Sequence, residues 1–178
     1  MLVTDDTRLP DPAAAIKALP ENSAVLFRHY GDPDRADHLN TWATLARECG
    51  HRVWIAKDVD LAMRLNADLL HLPEALMDQA TDIKTRYPHQ AISVATHSTS
   101  AILQAATLPV DAVVISPVFA TQSHPGTGPL GPSIADTMAQ RATGAGLVPY
   151  ALGGITDATA PLLANSRFAG LAAIGALR

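Results

Sequence analysis

Residues 111–131 read DAVVISPVFATQSHPGTGPLG, and the fold follows from how this stretch begins. Ala112 to Ile115 is an unbroken apolar run, the pattern of a strand covered on both faces. It opens into a loop carrying Ser116, Thr121, Ser123 and His124, followed by Gly126, Gly128 and Gly131 among prolines. Hydroxyls and a histidine in a Gly/Pro-rich loop at the end of a buried strand form one half of a candidate active site. The other half has to come from neighbouring strands of the same kind.

Working outward, such strands recur on both sides. Toward the C-terminus, Ser133 with Asp136 resembles a capping box that opens a helix to about Thr143. Leu147 to Leu152 is then a strand ending at Gly153-Gly154, Thr156 can cap a further helix, and Gly170 to Ile174 is a last strand ending at Gly175. Toward the N-terminus, Ser98 to Ala106 is helical and Ala91 to Ala95 is a strand ending at Thr96-His97-Ser98. Pro73 begins a helix running to about Tyr87, and Leu69 to Leu72 is a strand with His71 near its end. Asp58 caps a helix to Leu65, after a strand from Arg52 to Ala56 that ends at Lys57. Asp34 to Cys49 places Leu39, Trp42, Leu45 and Ala46 at helical spacing, with Gly50 where a helix C-terminus favours glycine. Ala24 to Phe27 is a strand ending at Arg28-His29-Tyr30. Asp11 to Leu19 suits a short helix, and Leu2 to Thr4 is the first strand.

Eight strands alternating with helical segments predict an α/β fold with parallel strands and helical crossovers. That count is the one of a closed (β/α)8 TIM barrel; an open flavodoxin-like sheet is the alternative. At 178 residues the chain is short beside the typical barrel of about 250, so the last helix is expected to be vestigial or missing. No linker, repeat or low-complexity stretch divides it, and residues 1–178 are expected to form a single domain.

Composition narrows the function classes. A hydrophobic fraction of 48% excludes a disordered chain, and a net charge of −4 offers no basic face for nucleic acid. Cys49 is the one cysteine, so no internal disulfide forms and a reducing, cytoplasmic setting is expected. The N-terminus lacks a secretory pattern, and no apolar run approaches the roughly 20 residues of a membrane helix.

Barrel enzymes place their chemistry at the C-terminal ends of the strands. Here those ends carry Arg28, His29, Lys57, His71, Thr96, His97, the loop with Thr121, Ser123 and His124, then Gly153, Gly154 and Gly175. Histidines gathered at a mouth can move protons near neutral pH. No two of them have a local metal-ligand spacing. Gly153-Gly154 and Gly175, without Cβ atoms, let a phosphate approach backbone N–H groups in the loops that barrels commonly use for it.

These residues resemble the thiamine phosphate synthase / TenI family over almost the whole chain. Ser116-Pro117-Val118-Phe119-Ala120-Thr121 is similar to the family's G-P-V-F-P-T, and Leu152-Gly153-Gly154-Ile155 to its GGI. Ala67-Asp68-Leu69-Leu70-His71-Leu72 resembles GADGVHL, Thr96-His97-Ser98 resembles the S-T/A-H-S/T motif, and Val59-Asp60-Leu61-Ala62 resembles V-D-L-A. The resemblance implies a barrel that binds a thiazole phosphate. In synthases that thiazole attacks a pyrimidine carbocation after Mg²⁺-assisted loss of pyrophosphate. In the TenI branch a thiazole tautomerase transfers protons without a metal.

The synthase motifs carry over incompletely. Of Q-L-R-x-K only Arg28 remains. The aspartate expected before V-D-L-A is Lys57, with Asp58 one residue away, and Glu74 is the carboxylate nearest the second acidic position. Ala95 stands for a serine and His124 for a lysine, while Thr121 is kept. Mg²⁺ is held through one or two carboxylates plus substrate phosphates, so no cofactor is expected, and Asp58 and Glu74 are the ligands if Mg²⁺ is bound. The TenI catalytic histidine falls on Pro117. The reading is a TenI-like enzyme on a phosphorylated thiazole, with His124, His97, Arg28 and Lys57 as candidate catalytic residues. Thr96, Thr121, Ser123, Gly153, Gly154 and Gly175 are then substrate or phosphate contacts, and His29 and His71 complete the mouth. The alternatives are a thiamine phosphate synthase and a non-catalytic homologue that binds a phosphorylated ligand.

Overall fold

The computed structural model describes residues 1–121 and 128–174. Parallel strands run in sequential order through one eight-stranded sheet, the strand order of a (β/α)8 barrel. The chain forms two compact units, the first made by residues 1–71 with Ile174 and the second by residues 72–173.

In the first unit, β1 (Leu2–Val3) pairs with β2 (Ala24–Phe27), and β2 with β3 (Arg52–Ala56). β3 pairs in turn with β4 (Leu69–Leu72), in the register Trp54 to Leu69 and Ala56 to His71. The crossovers are α1 (Ala13–Ala18), α2 (Arg35–Glu48) and α3 (Val59–Arg64). α2 buries Leu39, Trp42, Ala43 and Ala46 on one stripe, as helical spacing requires. Gly50 ends it with φ 76°, a conformation that costs glycine little. Asp58 caps α3, its carboxylate accepting from the Leu61 N–H at 3.0 Å.

In the second unit, β5 (Ala91–Thr96), β6 (Ala112–Ile115), β7 (Val148–Leu152) and β8 (Gly170–Ala172) pair in that order. Every residue of β6 is buried, as its apolar run predicts. α5 (Thr99–Ala105) is capped by the Ser98 hydroxyl, which accepts from the Ala101 N–H at 3.2 Å.

Three local expectations change. Pro73 leads first into a 3-10 turn, Glu74–Gln79, and only then into α4 (Ala80–Arg86). α6 (Pro132–Gly144) starts from Gly131 with no side-chain cap. Asp136 instead accepts from the Arg167 N–H at 2.7 Å, so the apparent capping box serves a long-range bond. After β7, where Thr156 was expected to cap a helix, the structure has a short 3-10 turn, Ala160–Leu163. There the Thr159 hydroxyl holds the loop by accepting from the Thr156 N–H at 2.8 Å. The expected vestigial helix after β8 falls beyond residue 174, outside the described residues.

Candidate functional site

The strand ends of the first unit gather cations around one aromatic ring. Side chains alternate along an extended segment, so Arg28 and Tyr30 share one side and His29 takes the other. The Arg28 guanidinium carbon lies 5.7 Å from the Tyr30 ring centre, that of Arg35 5.9 Å, and the Lys57 ammonium 5.9 Å. Burial raises the pKa of the Tyr30 hydroxyl, and the neighbouring Arg28 pulls it back. Arg35 is anchored: it donates to the Asp58 carboxylate at 2.9 Å and to the Ala56 carbonyl at 3.0 Å. With Leu61 on its other oxygen, Asp58 has both oxygens engaged. A cavity of about 500 Å³ is bordered by Tyr30, Arg35, Lys57, Asp58 and Asp60.

His29 turns away from this group and is 2% exposed. Its Nε2 lies 3.3 Å from the Pro10 carbonyl, which can only accept, so Nε2 carries the proton. Nδ1 therefore accepts from the Thr4 hydroxyl at 2.8 Å, and the ring centre stands 4.6 Å from that of Trp42. These contacts tie β1 to β2 and account for the residue. His71 is likewise buried, within β4.

In the second unit His97 is exposed yet held at two points. Its backbone N–H donates to the Glu74 carboxylate at 2.8 Å. Its Nδ1 donates to the Ser116 carbonyl at 2.7 Å, with the Ser116 hydroxyl at 3.3 Å. A carbonyl partner places the proton on Nδ1, so Nε2 is the basic nitrogen of the neutral ring. Thr96, beside it, is fully buried with its hydroxyl enclosed.

The same unit binds the long loop onto the double glycine. The Val118 N–H donates to the Leu152 carbonyl and the Phe119 N–H to the Gly153 carbonyl, both at 3.0 Å. Gly153 and Gly154 have φ of 99° and 64°. A Cβ on Gly153 would stand 2.7 Å from the Pro117 Cα, and one on Gly154 2.5 Å from the Ala120 carbonyl oxygen. Close passage of residues 117–120 is thus a physical reason for both glycines that the sequence did not reveal. The far end of the loop returns to the same place, since the Gly131 N–H donates to the Val118 carbonyl at 2.9 Å. Thr121 is the last residue described before the gap. Ser123, His124 and Gly175 lie outside the described residues.

The carboxylates do not fit a divalent ion. Where the resemblance puts a metal-binding aspartate stands Lys57, Asp58 is committed to Arg35 and Leu61, and Glu74 holds His97. Among the described residues no group of three or more His, Cys, Asp or Glu is placed to hold a metal. No described helix is long and apolar enough to cross a membrane. Arg35 and Tyr30 are the residues that strand-end reasoning missed. Arg35 belongs to a helix, and its bonds to Asp58 and the Ala56 carbonyl bring it to the strand end.

Comparison with known proteins places this geometry in a family. The chain is 31% identical to a putative thiamine-phosphate synthase 2 from Aquifex aeolicus over 54% of its length, and 26% identical to the thiamine-phosphate synthase of Vibrio parahaemolyticus over 99%. It spans 88% of the Vibrio protein, but only 50% of the Aquifex one and 41% of a Synechococcus thiamine-phosphate synthase. The fold matches that of a thiamine phosphate pyrophosphorylase from Pyrococcus furiosus with a TM-score of 0.79 at 21% identity, covering 97% of this chain and 83% of that one. The family model described as thiamine monophosphate synthase, TMP-TENI, matches residues 1–177, and the chain belongs to that family.

Proposed function

We propose that this family member acts on a phosphorylated thiazole by proton transfer, with His97 as the acid–base group and no divalent ion in the reaction. The observation that carries this reading is the fixing of His97 by Glu74 and Ser116. The carboxylate nearest the second acidic position of the synthase pattern supports a histidine instead. A prototropic isomerisation removes one proton from carbon and delivers one elsewhere on the same molecule, with no net change. An imidazole with Nε2 basic can take the first proton and, as imidazolium, return the second. The substrate's phosphate is assigned to the loop at Gly153-Gly154, one of the loops that barrels commonly use for it.

The test is isomerisation of a thiazole carboxylate phosphate in EDTA. Turnover is expected to persist, and His97→Ala to lower it about 10²–10⁴-fold. A loss under tenfold in His97→Ala, with a large loss in His124→Ala, transfers the role to His124. A second reading is favoured by the names of the curated relatives, which are thiamine-phosphate synthases. Robust Mg²⁺-dependent joining of a pyrimidine pyrophosphate to a thiazole phosphate would put that reading first. Tight ligand binding without turnover in either assay would mark a non-catalytic member.

A further inference from the structure

We propose that Asp32, His38 and Trp42 form a pH-dependent clip on the connection between β2 and α2, tight while His38 is charged and looser once it has lost its proton. The clip has two contacts. The His38 Nδ1 donates to one Asp32 carboxylate oxygen at 2.7 Å, and the His38 ring stacks on Trp42 with centres 5.4 Å apart and planes 29° from parallel. The other Asp32 oxygen accepts from the Asp34 N–H at 2.9 Å, and the Asp32 carbonyl accepts from the Arg35 N–H at 3.3 Å. Asp32 therefore ties the connection to the first turn of α2, and His38 ties Asp32 to a tryptophan that the helix buries. Asp32 and His38 also border a cavity of about 370 Å³ together with Asp6, Pro10, His29 and Gly31. There the Asp6 carboxylate accepts from the Gly31 N–H at 3.3 Å, a second hold on the connection.

A charge on His38 strengthens both contacts. It turns the Asp32 bond into a charge-assisted pair, and a cation gains from a tryptophan π-face at this distance. The surrounding groups favour the proton. Asp32 and Asp34 act on the ring from the connection and Asp37 from its own helix, while Asp6, beyond β1, lines the same cavity. His29 shares the cavity and lies against Trp42, its ring held by Thr4 and Pro10. Arg35, in the same turn of α2, is turned to Asp58. The Asp32 hydrogen bond is the main cause that raises the pKa of His38; desolvation opposes it, and the charges of Asp32, Asp34 and Asp37 add to it. Because the folded value is raised, the added hold is complete below about pH 6.5 and is lost as pH rises through the folded value. The neutral ring can still donate from Nδ1, so deprotonation loosens the clip without dismantling it. The connection carries Tyr30, and the clip therefore governs how firmly that ring is held at the end of β2.

The experiment follows the full chain by NMR from about pH 5 to about pH 9, the range in which histidines titrate. The His38 ring protons should titrate above the value of about 6.5 of an unpartnered histidine, and Asp32→Asn should bring that midpoint down. Protection factors of the Asp34 and Arg35 amides against hydrogen exchange should be about two- to fivefold higher below the midpoint than above it, the size that an exposed ion pair reaches. In His38→Gln this pH dependence should vanish. A His38 midpoint at or below about 6.5, equal protection on both sides of the midpoint, or a step that persists in His38→Gln would overturn the clip, the last by assigning the step to another group such as His29. Turnover enters none of these readouts, so failure of the histidine chemistry at His97 leaves the result standing.

Discussion

Asp5, just past β1, shows how one side chain sets a pH dependence. Burial raises its pKa, but hydrogen bonds from the Arg8 guanidinium and from the backbone of Arg8 and Thr7 outweigh this and bring it down to about 2. The folded value lies below the unfolded one of about 3.9, so Asp5 stabilises the fold above that pH and the contribution is lost as pH falls from about 4 to about 2. Asp5→Asn should therefore be less stable than the parent in denaturant titrations at pH 7, with most of the difference gone by pH 2. A deficit unchanged at pH 2 would show that the charge is not responsible. The strand-end histidines mark how far residues are legible. Their positions could be read from the sequence because strands end where apolar runs end. Their roles could not, because His29 is settled by Thr4 and Pro10, 25 and 19 residues away, and His97 by Ser116, 19 residues on.

Among the elements, the strand starts share a device. Asp68, just before β4, donates its N–H to the Val53 carbonyl and accepts from the Val53 N–H, at 2.8 and 2.7 Å. Asp111, just before β6, makes the same reciprocal pair with Ile92, both bonds at 2.8 Å. Each carboxylate satisfies an N–H at the start of the neighbouring strand. Asp68→Ala or Asp111→Ala should cost about 1–3 kcal/mol by orphaning that donor, measured by urea unfolding; a loss under about 0.5 kcal/mol would show that water replaces the carboxylate. The glycines divide in a similar way. Gly50 has φ 76° with open space around its Cα, so Gly50→Ala should cost about 1 kcal/mol of conformational strain. Gly154→Ala meets the same strain and a carbonyl oxygen at 2.5 Å, and should cost about 3 kcal/mol or more. Equal costs would mean that residues 117–120 move aside easily. For the same reason, lost ligand binding in a bulky Gly154 variant reports first on loop packing, and the phosphate assignment has to be tested with the ligand itself. The helix signals that were legible, Asp58, Ser98 and Gly50, act within four residues of their helix. Those that misled, Ser133 with Asp136 and Thr156, belong to segments whose polar groups answer to the next strand or turn.

At the scale of the whole molecule, the alternation of strands and helices was legible because it rests on burial. β4 and β6 are buried at every residue, which only strands covered on both faces require. The division into two compact units was not legible, since no change of composition marks it; the boundary falls inside β4, between His71 and Leu72. That position makes a testable demand on cooperativity. Neither unit can unfold alone without fraying a strand whose four residues are all buried. Unfolding should therefore be a single transition. Both tryptophans, Trp42 and Trp54, lie buried in the first unit, so their fluorescence follows that unit, whereas far-ultraviolet circular dichroism follows helices and strands of both. In urea the two signals should trace superimposable curves with one midpoint. A fluorescence transition that precedes or trails the dichroism would show the units melting separately and β4 yielding at its centre.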